Sequence, residues 1–181
     1  MKLIRQFGAV ALLMALAGCA ATPTGTPARL GLKLPPAALG ESISVQQHLK
    51  VERDGRIDEL DAALEVDPAR VELVGLAFGQ RVLTMTYDGV ALKSWRHVML
   101  PAQVRPDDIL EDVQLTLWPL DAIARALPPG WRIEDSGLTR TLTMDGAVVA
   151  VVRYTAMPRW SGTVTVDNQR YQYRLTIQSA P

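Results

Sequence analysis

The chain has 181 residues, 19 basic and 19 acidic side chains for a net charge of zero, 48% hydrophobic residues and one cysteine. That balance offers no basic excess for a nucleic-acid backbone or an anionic lipid patch, and a lone cysteine excludes both a disulfide framework and a closed thiolate zinc site. The length fits one domain with a substantial core.

Residues 1–18 read as a leader. Lys2 and Arg5 precede an uncharged apolar run over residues 7–16, and Leu16, Ala17 and Gly18 lead into Cys19, the order of a basic segment, a short apolar segment and small residues before a cysteine. The run falls short of the roughly 20 apolar residues that span a bilayer. The expectation is a lipoprotein precursor in which Cys19 becomes the lipid-bearing first residue; an ordinary signal peptide or an uncleaved anchor is the alternative. Removing residues 1–18 takes away Lys2 and Arg5 and no acid, which leaves a net charge of −2. One acyl chain holds a protein only marginally, at about 0.8 kcal/mol per buried methylene, and two hold it stably, so a diacylglyceryl group on Cys19 keeps the domain at the membrane. Ala20 rather than Asp after the cysteine resembles the outer-membrane address of Gram-negative lipoproteins, a receptor-read signal. The expected location is therefore the periplasmic face of the outer membrane.

Residues 19–34 are rich in Thr, Pro, Gly and Ala and are expected to form a flexible tether, with a single domain over residues 35–181. Ile43, Val45, Leu49 and Val51 share one parity before Asp54 and Gly55; Leu60, Ala62, Leu64 and Val66 follow before Asp67 and Pro68. This alternation predicts two half-buried strands joined by a hairpin turn. Runs over 71–78, 81–87 and 90–98, punctuated by Gly79-Gln80 and Asp88-Gly89, extend an antiparallel meander. The period then changes: Leu110, Val113 and Leu117 recur at helical spacing behind Pro106, Asp107 and Asp108. Leu120, Ile123, Ala124 and Leu127 form a second helical face that stops at Pro128, Pro129 and Gly130, with a kink expected at Pro119. After Trp131 strands return over 138–144, 147–155, 162–166 and 171–178, with turns at Asp145-Gly146 and Asp167-Asn168. Nine or ten strands around two central helices, without βαβ alternation, exclude a parallel sheet. A large antiparallel sheet curls, and the helices are its expected cover.

Candidates for chemistry are few. The histidines are His48, at a polar parity in a strand, and His97, among Trp95, Arg96 and Val98; each is weighed as a catalytic base or as an exposed strand residue, the plainer reading. None of the serines stands in a Gly-x-Ser-x-Gly frame, two isolated histidines cannot build a zinc site, and no phosphate-cradling glycine loop is present. Asp107, Asp108, Glu111 and Asp112 read as a solvated helix start better than as a catalytic carboxylate cluster.

Apolar surface is what remains. Residues 147–152 are apolar on both faces, and 71–78 nearly so, so these strands are either covered on both sides or line a cavity. The cavity reading suits an acyl ligand, whose transfer from a membrane forfeits roughly 0.8 kcal/mol per methylene and needs comparable apolar area in return.

The stretch Val74, Gly75, Leu76, Ala77, Phe78, Gly79, Gln80, Arg81 and Val82, then Tyr87-Asp88-Gly89, Trp118-Pro119-Leu120 and 127–131, resembles an uncharacterised family of short bacterial lipoproteins often found with aryl polyene biosynthesis genes. More distantly, the order of strands, two helices and strands is similar to LolB, the outer-membrane receptor for lipoproteins, and its soluble partner LolA. The resemblance implies an incomplete β-barrel whose concave apolar face, lidded by helices, binds acyl chains, with a LolA-like periplasmic carrier as partner. It also implies that Phe78, at the turn before a Gly-Gln pair, is a protruding apolar residue used at the membrane; an ordinary core aromatic beside a turn is the alternative.

The expected fold is thus mainly β with two short helices, an incomplete antiparallel β-barrel lidded by those helices. The expected function is non-enzymatic: binding a lipid or lipidated cargo and taking part in its transfer at the membrane, with no cofactor, metal or nucleic acid. Phe78 is assigned to the rim, and Leu76, Leu83, Met85, Trp118, Leu142, Met144 and Val149 to the apolar lining, an assignment that a one-residue register slip inverts. An interaction subunit of an envelope assembly would instead show a filled core and an exposed patch. An acyl-processing enzyme would bring His48 or His97 to a hydroxyl and a carboxylate in a pocket.

Overall fold

Ten strands form one antiparallel sheet in the computed structural model, which describes residues 30–180; Cys19, the leader and most of the expected tether lie outside the described residues. In chain order the strands are β1 (Ile43–Arg53), β2 (Arg56–Val66), β3 (Val71–Ala77), β4 (Gln80–Tyr87), β5 (Leu92–Arg96), β6 (Trp131–Ser136), β7 (Thr139–Met144), β8 (Ala147–Tyr154), β9 (Thr163–Asn168) and β10 (Tyr173–Ser179). Helices α1 (Pro106–Leu117) and α2 (Leu120–Ala126) separate β5 from β6. The spatial order is β5-β4-β3-β2-β1-β10-β9-β8-β7-β6, so the first and last strands of the chain's sheet pair at its centre and β5 and β6 are its edges.

The alternation fixes one apolar side. Val45, Leu64, Leu73 and Met85 stand opposite one another across β1 to β4, and Val51, Leu175, Val166, Val152 and Arg140 form a second row across β1, β10, β9, β8 and β7. Laid flat, ten strands at about 4.8 Å spacing would spread over roughly 43 Å. Side chains from both halves of the sheet nevertheless join one apolar cluster with Leu110, Leu115, Trp118 and Ile123 of the helical segment, which requires the sheet to curl around the helices. The architecture is an open, mainly β sheet with two helices, consistent with an incomplete barrel.

Most hairpins fall where the turn dipeptides place them, and the departures have local causes. The turn expected at Gly79-Gln80 sits one residue earlier, on Phe78 and Gly79, both at positive φ (51° and 73°), the geometry of a two-residue hairpin turn. β5 is shorter than the run 90–98, because Val90 belongs to a turn closed by the Asp88 carboxylate, which accepts the N–H groups of Val90 and Ala91. β6 was not among the expected runs: burial alternates along Trp131–Ser136, but the inward positions carry only two apolar residues, Trp131 and Ile133, before the polar Asp135. Pro119 breaks the helical segment as expected, since Trp118 and Pro119 are extended (ψ 149° and 143°).

Two corrections concern the expected boundaries and lining. The packed body begins before residue 35: Leu30, Leu32 and Leu34 are buried while Gly31 and Lys33 are exposed, so residues 30–34 form a strap on the core and not a free tether. Leu76 does not line the interior. It shares the outward parity of Glu72 and Val74 along an uninterrupted β3, lies opposite Asp61 of β2 and is 38% exposed, since alternate residues of a strand face opposite sides.

Candidate functional site

The concave face is apolar and covered. Leu83, Met85, Leu142 and Val149 are buried there, Met144 packs at its margin, and Trp118 is completely enclosed. Val149 occupies the bulge where β8 shifts against Leu142 and Thr143. Two layers provide the cover: α1 with α2, and the strap that runs into a 3-10 turn at Pro36–Leu39. The expected open hollow is therefore occupied by the chain's own side chains in this state.

Two sets of polar contacts hold α1 down. At its C-terminal end the carbonyls of Leu115, Thr116 and Trp118, which a helix leaves without intrahelical donors, are met from the sheet. Arg140, fully buried on β7, donates from Nη1 to the carbonyls of Leu115 (2.7 Å) and Trp118 (2.9 Å). Tyr154 donates its hydroxyl to the carbonyl of Thr116 at 2.7 Å. Arg140 is balanced by Asp135, which accepts from its Nε (2.8 Å) and Nη2 (3.1 Å) and from Arg159 Nη2 (2.6 Å). Burial pushes the Asp135 carboxyl upward, but the hydrogen bonds from Arg140 and Arg159 outweigh it and hold the group below its ordinary range. Sequence reasoning missed this network, because a lone arginine in a threonine-rich strand carries no signal of burial.

Near the middle of the helix, Asp112 of α1 meets Tyr173 of β10, whose hydroxyl lies 2.7 and 2.8 Å from the two carboxylate oxygens. Burial pushes the Asp112 carboxyl up to about 7, with the Tyr173 hydrogen bond opposing the shift. Burial and the neighbouring Asp112 likewise raise the Tyr173 hydroxyl well above its ordinary value. The Arg53 guanidinium sits 5.2 Å from the centre of the Tyr173 ring. Beside this pair lies a polar cavity of about 210 Å³, lined by Arg53, Gln103, Arg105, Asp108, Glu111 and Tyr171 as well. Asp112, expected as part of a solvated helix start, is instead bonded into the sheet.

The strap leans on the helix through side chains alone. Gln114 bonds both backbone groups of Leu34, Glu111 accepts the N–H of Gly31 at 2.7 Å, and Trp118 Nε1 donates to the carbonyl of Pro35 at 3.1 Å. These partners advance together along both segments, so the strap runs parallel to α1 and enters beside its first half.

Phe78 projects from the β3–β4 turn and is 94% exposed, which rules out the core-aromatic alternative. Antiparallel pairing puts the end of β5 and the start of β2 at the same rim, so the exposed side chains of Ile57, Val98 and Met99 share it with Phe78. The histidines lie elsewhere: His48 bonds Asp61 on the outer face (2.9 Å), and His97 Nδ1 accepts the N–H of Met99 beyond β5 (3.2 Å). Among the described residues no group of three or more His, Cys, Asp or Glu could hold a metal ion, and no helix is long and apolar enough to cross a membrane.

An open antiparallel sheet wrapped on two helices, with its apolar side covered and one apolar rim exposed, defines the class of molecule. Residues 44–181 match the family described as a protein of unknown function, DUF3261, and the chain belongs to that family. No curated protein is significantly similar to it.

Proposed function

We propose that this protein is a non-enzymatic lipoprotein, anchored through Cys19 at the periplasmic face of the outer membrane, that takes a lipid or lipidated cargo onto the concave face of its sheet and takes part in its transfer at the membrane. The carrying observation is the construction of the cover: an apolar face of ten strands is roofed by a helix and a strap fixed by a handful of side-chain hydrogen bonds. Such a roof can lift without breaking the sheet's ladders, and the face it uncovers supplies the non-directional apolar area that a hydrocarbon tail requires. The likeness to LolB and to lipoproteins found with aryl polyene genes supports the same reading and suggests a LolA-like carrier as partner. Phe78 then serves as the rim residue that enters the bilayer surface.

A second reading, an interaction subunit of an envelope assembly, is favoured by the covered core and by the exposed Phe78, Val98, Met99 and Ile57. Extraction of the mature chain carrying Cys19→Ala, secreted without lipid in its own cells and purified without detergent, separates the two: mass spectrometry of the extract recovers a near-stoichiometric acyl compound for a carrier and none for an interaction subunit.

A further inference from the structure

The strap's leucines have the placement of a bound tail. In an extended segment alternate side chains point the same way about 6.6 Å apart, and Leu30, Leu32 and Leu34 are buried to 7%, 3% and 7% exposure while Gly31 and Lys33 between them face solvent. They join the cluster that contains Leu73, Leu83, Met85 and Tyr87 of the sheet and Leu110 of α1. A segment of this pattern ordinarily pairs as a strand, yet none of residues 30–35 belongs to the sheet. Its hydrogen bonds go to Glu111, Gln114 and Trp118, on α1 or directly after it. The strap is thus seated by hydrocarbon against the sheet and by a few side-chain bonds against the lid.

We propose that the course occupied by Leu30, Leu32 and Leu34 is the acyl-binding site, and that the strap is an internal stand-in which a single hydrocarbon tail displaces. The inference rests on the carrier reading above and adds where the tail lies and what keeps the site closed. Burial of hydrocarbon is non-directional and scales with area, so three leucine side chains are replaced by a tail of about twelve carbons with little net change in apolar burial. Gln114, Glu111 and Trp118 lose their strap partners in the exchange, which makes the closed state the default until a tail arrives. The polar head lies where the strap enters, beside the cavity that Glu111, Arg53 and Arg105 line.

The test uses the mature chain with Cys19→Ala, secreted without lipid, and 11-dansylaminoundecanoic acid as the probe. The triple variant Leu30→Ser, Leu32→Ser and Leu34→Ser is expected to bind the probe at least tenfold more tightly than the parent, with an unchanged circular dichroism spectrum. In the parent, saturating probe is expected to speed hydrogen exchange at the Gly31 and Leu34 amides, which donate to Glu111 and Gln114, while the β1–β10 ladder stays protected. The exchange measurement stands even if the triple variant does not fold. If the parent binds the probe but the strap amides keep their protection, the strap inference is overturned and the carrier reading survives; equal or weaker binding by a folded triple variant has the same meaning. If neither parent nor folded variant binds the probe, the carrier reading fails and this inference falls with it.

Discussion

Gln114 grips Leu34 by both ends of its amide: its Oε1 accepts the Leu34 N–H at 2.9 Å and its Nε2 donates to the Leu34 carbonyl at 2.8 Å, with the glutamine wholly buried. One side chain of α1 thus substitutes for a strand ladder, and Gln114→Leu leaves two buried backbone groups without partners. The expected loss is about 1–3 kcal/mol, read as a fall of the melting temperature by roughly 2–4 °C per kcal/mol for a domain of this size. An unchanged melting curve would mean that the strap contributes nothing to the closed state.

Arg140 is the more costly contact to remove. Arg140→Met strips the donors from two helix-end carbonyls and leaves Asp135 to Arg159 alone, so a loss of about 3–5 kcal/mol is expected. Arg140→Lys does not restore it, because an ammonium cannot serve Asp135 through two parallel bonds while reaching Leu115 and Trp118. Urea denaturation of both variants checks the order of stability: parent far above either, and lysine no better than about halfway.

The Asp112–Tyr173 pair predicts a pH dependence with a definite sign. A carboxyl raised in the folded state to about 7 from 3.8 binds its proton more tightly folded than unfolded. Its contribution to stability is therefore full below pH 3.8, is lost as the pH rises towards 7, and changes no further above. Asp135 and Asp167, both held low by arginines, act in the opposite direction and only in the acid range below about pH 4. Stability should fall between pH 4 and 7, and Asp112→Asn should flatten that slope; a parent stability that rises across this window would contradict the assignment.

Phe78 holds a left-handed backbone conformation (φ 51°) that costs an ordinary residue about 1–2 kcal/mol relative to glycine. Phe78→Gly should accordingly stabilise the fold by about 1 kcal/mol, and Phe78→Glu should leave the fold intact, since the side chain is exposed. Both should weaken delivery of a bound acyl probe to phospholipid vesicles, measured as the rate of probe transfer. Unaltered transfer in Phe78→Glu would remove the residue from the membrane rim.

Much of the scaffold was legible in the residues because alternation survives wherever one face of a strand is dry. Ile43 to Val51 and Leu60 to Val66 pair in the parity their sequence implies, and Pro106 and Pro119 mark where α1 begins and where it breaks from α2. The lining was less legible. Leu76 falls on the outer face by the plain alternation of β3, opposite in parity to Val71 and Leu73, but a strand apolar at nearly every position hides which parity is inward. The alternation of Leu30, Leu32 and Leu34 was present in the sequence, but a proline- and glycine-rich context read as tether. Arg140 was invisible for a different reason: its burial depends on carbonyls 22 and 25 residues away in sequence, which only the folded helix presents.

Photolabelling with a diazirine-bearing fatty acid tests the central claim most directly, because it reports where a tail sits in the unmodified mature chain. The account predicts covalent label on α1 and on the inward residues of β3 and β4, Leu73, Leu83 and Met85 foremost, and loss of that label in excess unlabelled fatty acid. Label confined to Phe78, Val98 and Met99, or label indifferent to competitor, would contradict it.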